Sequence, residues 1–161
     1  DDPEPENEEE LITDVILTLV PTGGGLTTTM TFTDLDGPGG NAPTVTGGTL
    51  QANSNYVATV AFRNEIDGEN ITEEVQEEDE EHQVFYQVSG LNLTFSYLDS
   101  DENNNPLGVE TEMVTGDAST GTLTVILRHE PDKDAAGVAD GDISNAGGET
   151  DIEVTFDVTI Q

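Results

Sequence analysis

The chain has 161 residues, of which 35 are Asp or Glu and only three, Arg63, Arg128 and Lys133, are Lys or Arg, giving a formal net charge of -32. A polyanion would face like charge, so nucleic acid and anionic lipid surfaces are excluded as partners, whereas cations are concentrated around such a surface. With no cysteine there is no disulfide, thiolate metal site or cysteine nucleophile, and no stretch approaches the roughly 20 consecutive apolar residues of a membrane-spanning helix.

Residues 1–10, DDPEPENEEE, hold no aliphatic or aromatic side chain and read as an acidic, solvated tether; residues 11–161 suit a single domain with one core. The lack of an initiator Met suggests a mature form from which a signal segment was removed, hence export. From 11 to 20 the chain is apolar on one alternating set, Val15, Leu17 and Leu19, and half apolar on the other, Ile16 and Val20. A strand covered on much of both faces gives that pattern. PTGGG turns the chain into a second strand in which Met30 and Phe32 alternate with Thr27, Thr29, Thr31 and Thr33, and DLDGPGGNAP is a loop. Tyr56, Ala58, Val60 and Phe62 mark the next strand by the same rule.

The segment 70–90, NITEEVQEEDEEHQVFYQVSG, contains the one stretch that reads as a helix. Asn70 is a candidate cap, Glu73 would close a capping box, and Ile71 and Val75 lie one turn apart on an apolar stripe. Electrostatics oppose its continuation. Glu73 with Glu77, Glu74 with Glu78 and Glu77 with Glu81 place like charges one turn apart, each costing roughly 0.2 to 0.5 kcal/mol, and more carboxylates crowd the negative end of the helix. A bound cation would relieve this.

Beyond the helix, Val84, Tyr86 and Val88, then Leu91, Leu93, Phe95 and Tyr97, continue the alternation, and Leu107, Val109 and Met113 follow a turn at 103–106. Leu123, Val125 and Leu127 share a face, and period two puts His129 on it as well. Residues 131–149 form a long loop rich in Asp, Gly, Ala and Asn, of the kind that binds something or is disordered. In the last strand Ile152, Val154, Phe156, Val158 and Ile160 face the core, with Asp151, Glu153, Thr155, Asp157 and Thr159 on a solvated acidic face. About eight strands and one short acidic helix predict a mostly β chain: a two-sheet antiparallel β-sandwich with immunoglobulin-like Greek-key connections.

The acidic run at 1–10 and the phrases EEDEEHQVFYQ, RHEP and GGETDIEVTF resemble small, uncharacterised surface-exposed lipoproteins of the Bacteroidetes. The resemblance implies a location, the outer membrane or cell surface, with membrane attachment only through a lipid anchor on a cysteine that this chain lacks. It implies no chemistry.

Two constellations suggest metal ions as partners. Glu78 and Asp79 precede His82 by four and three residues, so a helix continuing to His82 would put them on one face with its imidazole, and His129, Glu130 and Glu149 would complete a transition-metal site. Imidazole with carboxylates suits Zn²⁺, Cu²⁺, Ni²⁺ or Fe. The alternative is that His82 ends a solvated helix while His129 hydrogen-bonds at the edge of the core. Secondly, Asp99, Asp101, Asn103, Asn105 and Glu110 fall at the first, third, fifth, seventh and twelfth positions of a calcium loop, with Asn104 in place of the usual Gly. An ordinary polar hairpin loop, DSDENNNP, explains the same residues.

Other motifs are weaker. The glycine runs at 23–25 and 37–41 lack the Lys-Ser or Lys-Thr of a phosphate loop and read as turns, while NIT and NLT matter as glycosylation acceptors only in a eukaryotic secretory protein. There is no GxSxG elbow and no Trp for a sugar platform, so no enzyme activity is expected. The sequence thus predicts a non-enzymatic surface domain that binds divalent cations, Zn²⁺ or Cu²⁺ at the histidines or Ca²⁺ at the loop. A structural or interaction module is the second prediction: a subunit of a surface assembly or an accessory to an outer-membrane transporter, contacting other surface proteins, with acidity serving solubility or salt adaptation.

Overall fold

Alternation of apolar and polar residues leaves each strand one face to bury, and two sheets packed face to face bury both sets. The computed structural model describes residues 11–161, so the tether read at 1–10 lies outside the described residues. One sheet contains, in spatial order, β3 (Thr44–Thr46), β2 (Thr28–Thr33), β1 (Asp14–Pro21), β5 (Asn55–Arg63), β8 (Glu110–Thr115) and β7 (Leu93–Tyr97). The second contains β4 (Gly48–Leu50), β10 (Glu149–Ile160), β9 (Ser119–His129) and β6 (His82–Ser89). All pairings are antiparallel except β4 with β10. The chain crosses between the sheets from β3 to β4, β4 to β5, β5 to β6, β6 to β7 and β8 to β9, so both sheets of the β-sandwich are assembled from segments distant in sequence.

The core lies between the sheets and is built from the inward sets expected of the strands. Val15, Leu17 and Leu19 of β1 and Tyr56, Ala58, Val60 and Phe62 of β5 meet Val84 and Tyr86 of β6, Leu123, Val125 and Leu127 of β9, and Val154, Phe156, Val158 and Ile160 of β10. Each large side chain so buried contributes about 1.5 to 3 kcal/mol. Where the chain steps from β3 in one sheet to β4 in the other it passes through Gly47, and a Cβ there would collide with the Asp157 carbonyl oxygen. Only glycine lets the two backbones approach so closely.

The acidic segment is helical only over α1 (Ile71–Glu77). Ile71 and Val75 are buried as the stripe requires, and Thr72 docks the helix by accepting the Phe62 N–H at 2.8 Å through its hydroxyl. The side chain of Asn70 makes no cap hydrogen bond, so the capping box does not form. The helix does not reach His82. Its last turn carries no basic residue, the carboxylates repel one another and the helix end, and the backbone turns away at Glu78. His82 instead opens β6.

The long segment 131–149 packs on the outer face of the second sheet. Through two short 3-10 turns, Val138–Asp140 and Ile143–Asn145, it brings Val138 and Ala146 onto Phe85 and Ile126, forming a second apolar cluster. β6 is therefore covered on both faces over its first five residues, and Gln83 within it donates hydrogen bonds to the Val138 carbonyl at 2.9 Å and the Tyr97 hydroxyl at 3.2 Å.

Candidate metal centre

Both histidines stand at the same end of the sandwich because β6 begins where β9 ends. His82 and His129 are direct cross-strand partners, and each shares the inward face of its strand, His82 with Val84 and Tyr86, His129 with Leu127 and Val125. Opposed residues on one face of an antiparallel pair have neighbouring side chains. The two imidazoles stack with centroids 4.7 Å apart and planes 18° from parallel, and the residues are 4% and 9% exposed.

A third group comes from β10. Thr150 pairs with Arg128 and Ile152 with Leu127, which leaves Asp151 as the extra residue of a β-bulge. Strict alternation assigns Asp151 to the wet face, but the bulge brings its carboxylate to the histidines. Asp151 Oδ2 lies 3.6 Å from His82 Nε2, and Oδ1 lies 4.0 Å from His129 Nδ1. Gly148, just before the bulge, has φ +71°, and a Cβ there would collide with the His129 carbonyl oxygen, so the close approach of β10 to β9 requires glycine.

The protonation of His82 follows from its other contact. Nδ1 is 3.1 Å from the Glu78 carbonyl oxygen, which can only accept, so Nδ1 carries the hydrogen and donates it. In the neutral ring the lone pair is therefore on Nε2, aimed at an anionic carboxylate. Two electron-rich groups in that position call for a cation between them, either a proton on Nε2 or a metal ion. Burial disfavours the charged ring, but the Asp151 carboxylate and the Glu78 carbonyl outweigh it, so the His82 pKa lies above its ordinary value. A histidine fixed through Nδ1–H to a backbone carbonyl, with Nε2 free to coordinate, has the arrangement common to metal-bound imidazoles.

Among the described residues, two three-residue groups have ligand atoms within 4.8 Å of one another: His82, His129 and Asp151, and Glu81, His129 and Glu130. The second is more exposed, with Glu81 Oε2 3.8 Å from His129 Nε2. Tetrahedral bonds of 2.0 to 2.2 Å set ligand atoms about 3.3 Å apart, so the first group, with contacts of 3.6 and 4.0 Å to Asp151, would have to close and its stacked rings to turn for both imidazoles to meet one ion. A hollow of about 420 Å³, lined by Ile12, Phe32, Asp34, Asp151 and Ile152 among others, reaches Asp151 from the side between the sheets.

Of the residues suggested for the transition-metal site, His82 and His129 meet. Glu130 joins the outer group, while Glu149 faces His129 in register but is exposed and belongs to neither group. Glu78 and Asp79 reach the region through main-chain atoms: the Glu78 carbonyl holds His82, and the Asp79 carbonyl accepts from Lys133 Nζ at 2.6 Å. Spacing in the sequence does not single out Asp151 or Glu81 as ligands. Glu81 adjoins His82 in sequence and sits on the same rim, a signal that was present; the bulge at Asp151 had no local signature.

The loop suggested for calcium is tied by internal contacts. Asp99 accepts the N–H groups of Gly108 and Glu110, and Asp101 Oδ1 accepts those of Asn103 and Asn105. Asp101 Oδ2 meets Lys133 Nζ at 3.0 Å, and Asn104 has φ +65°, the left-handed conformation expected where Gly usually stands. The Asn103 and Asn105 amides donate to Glu80 and Asp134, respectively. No protein-family model, curated protein or solved structure matches the chain.

Proposed function

We propose that the protein binds a divalent transition-metal ion through His82 Nε2, His129 and Asp151, with Glu81 and Glu130 as outer carboxylates. The observation that supports this reading most directly is the meeting of the His82 lone pair with the Asp151 carboxylate at 3.6 Å beside a second, stacked imidazole. Two imidazoles and one carboxylate suit Zn²⁺ or Cu²⁺, and three protein ligands leave a coordination position for water or a small anion. The net charge of -32 would raise the local concentration of the ion. In this proposal the domain is non-enzymatic, exported and lipid-anchored at the cell surface. The location rests on the resemblance of its acidic and strand phrases to surface lipoproteins of the Bacteroidetes.

Isothermal titration of the metal-free protein with Zn²⁺ and with Cu²⁺ tests the site. One saturable high-affinity event, abolished in the His82→Ala, His129→Ala double variant, is expected. Absence of such an event, or one that survives the double substitution, would remove the proposal. A second reading has support in the raised His82 pKa: the positive group beside Asp151 is the protonated ring itself, and the domain is a structural or interaction module of a surface assembly. Under that reading metal titration gives no saturable heat at any pH.

A further inference from the structure

Lys133 is the one lysine of the chain, and it is buried, with 6% of its surface exposed. Its Nζ donates to the Asp79 carbonyl at 2.6 Å, Asp101 Oδ2 at 3.0 Å and the Pro106 carbonyl at 3.1 Å. An ammonium has three N–H donors, and all three are used. The acceptors come from the turn after α1 and from two positions of the DSDENNNP loop, and the donor comes from the long segment 131–149, so three segments meet at Nζ. Two carbonyls and a carboxylate are hard oxygen donors of the type that hold Ca²⁺ rather than a softer transition metal. Asp101 Oδ1 meanwhile accepts two backbone N–H groups from its own loop, as an aspartate does at the centre of a folded cation loop.

We infer that Lys133 is a built-in cation: its ammonium occupies an oxygen cradle at the rim of the sandwich that would otherwise take Ca²⁺, so the acidic loops close there without a metal. The inference is independent of the histidine site, because it involves a different donor set. It also accounts for the placement of a buried lysine in so acidic a chain. Removing one partner of a buried ion pair leaves the other charge uncompensated, whereas a divalent ion entering the emptied cradle would restore the balance.

The test uses the full chain and compares melting temperatures in Ca²⁺ with those in Mg²⁺, which cancels the general screening of a highly charged surface. Lys133→Ala opens the cradle and is expected to melt about 10 °C below the wild type without calcium and to recover several degrees, saturably, in millimolar Ca²⁺. Lys133→Met, whose side chain fills the space without charge, is expected to show the loss and no recovery, and adding Asp101→Asn to Lys133→Ala should abolish the rescue. A Lys133→Ala protein no more responsive to Ca²⁺ than Lys133→Met would overturn the inference. Should Lys133→Ala not fold, the unaltered chain decides. With ¹⁵N-lysine labelling it has a single side-chain ammonium resonance, expected to be protected from exchange and unmoved by Ca²⁺. A resonance lost to rapid exchange, or shifted by calcium, overturns it.

Discussion

His82 Nε2 and Asp151 Oδ2 face each other at 3.6 Å across the end of the second sheet, while His82 Nδ1 is committed to the Glu78 carbonyl. The pairing exists because a β-bulge shifts one residue of β10 out of alternation, and because β6 starts where β9 stops. Anion and lone pair in this relation make the site a receptor for positive charge, whether a proton or a metal ion. The two compete for the same nitrogen, and the first two predictions follow from that competition.

The metal-free protein should lose stability as pH rises above about 6.5. The folded His82 pKa lies above its ordinary value, so over this window the folded state binds more protons than the unfolded chain. The stabilising contribution is fully present below about pH 6.5 and is lost as pH passes through the higher folded value. Ordinary carboxylates are ionised throughout and add no slope. Urea unfolding of the chelator-treated protein at several pH values should show a falling midpoint, and the His82→Gln variant a flatter profile. A midpoint that rises with pH in the wild type would contradict the arrangement.

Zinc binding should have the opposite slope. The ion must displace the proton from Nε2, so affinity increases with pH by up to about tenfold per unit until the ring is neutral, and binding releases protons. Titration in two buffers of different ionisation enthalpy measures that release. The Asp151→Asn variant keeps the shape of the bulge but removes the charge, and its zinc affinity should fall by roughly 10- to 100-fold. Unchanged affinity in this variant would place the ion at the outer Glu81, His129 and Glu130 group instead.

Much of this architecture is legible in the chain, and the parts that are not have a common cause. The alternation of Val154, Phe156, Val158 and Ile160 shows a half-buried strand, and the parity of Leu123, Val125 and Leu127 puts His129 inside. Which strand His129 would face depends on register between distant segments, for which local pattern carries no information. Alternation puts Asp151 on the solvated face because it cannot anticipate an inserted residue. Ligand spacing puts Glu78 and Asp79 beside His82 only if the helix continues that far, and the carboxylate repulsions visible in the sequence argue for the end observed at Glu77. Lys133 had no pattern to draw attention to it, since a lone lysine in a polar loop ordinarily faces water.

Gly148 offers a test of the bulge that does not involve metal. Its φ of +71° is left-handed, and an added Cβ would strike the His129 carbonyl. Gly148→Ala should cost about 2 kcal/mol or more in denaturant unfolding, since both the backbone conformation and the collision oppose it. The displaced end of β10 carries Asp151, so the variant should also bind zinc more weakly than the wild type under conditions in which both are fully folded. Weakened stability with zinc affinity intact would separate the bulge from the site.

The outer cluster explains why segment 131–149 is ordered despite its polar composition. Phe85 and Ile126 project from the second sheet away from the main core, and Val138 and Ala146 cover them, with the Gln83 amide fastening the Val138 carbonyl from beneath. Truncating Phe85 removes the centre of this contact, and Phe85→Ala should cost about 3 to 5 kcal/mol. The loss should be uneven. Because the main core lies on the opposite face of β6, brief proteolysis of the variant under native conditions should cut first within 131–149, at protease concentrations that leave the wild type whole. Lys133 hangs from the same segment, so its ammonium resonance should begin to exchange with water in the Phe85→Ala protein. A variant that is destabilised overall but keeps the segment uncut would show that the oxygen cradle at Lys133, rather than the apolar cluster, holds the segment in place.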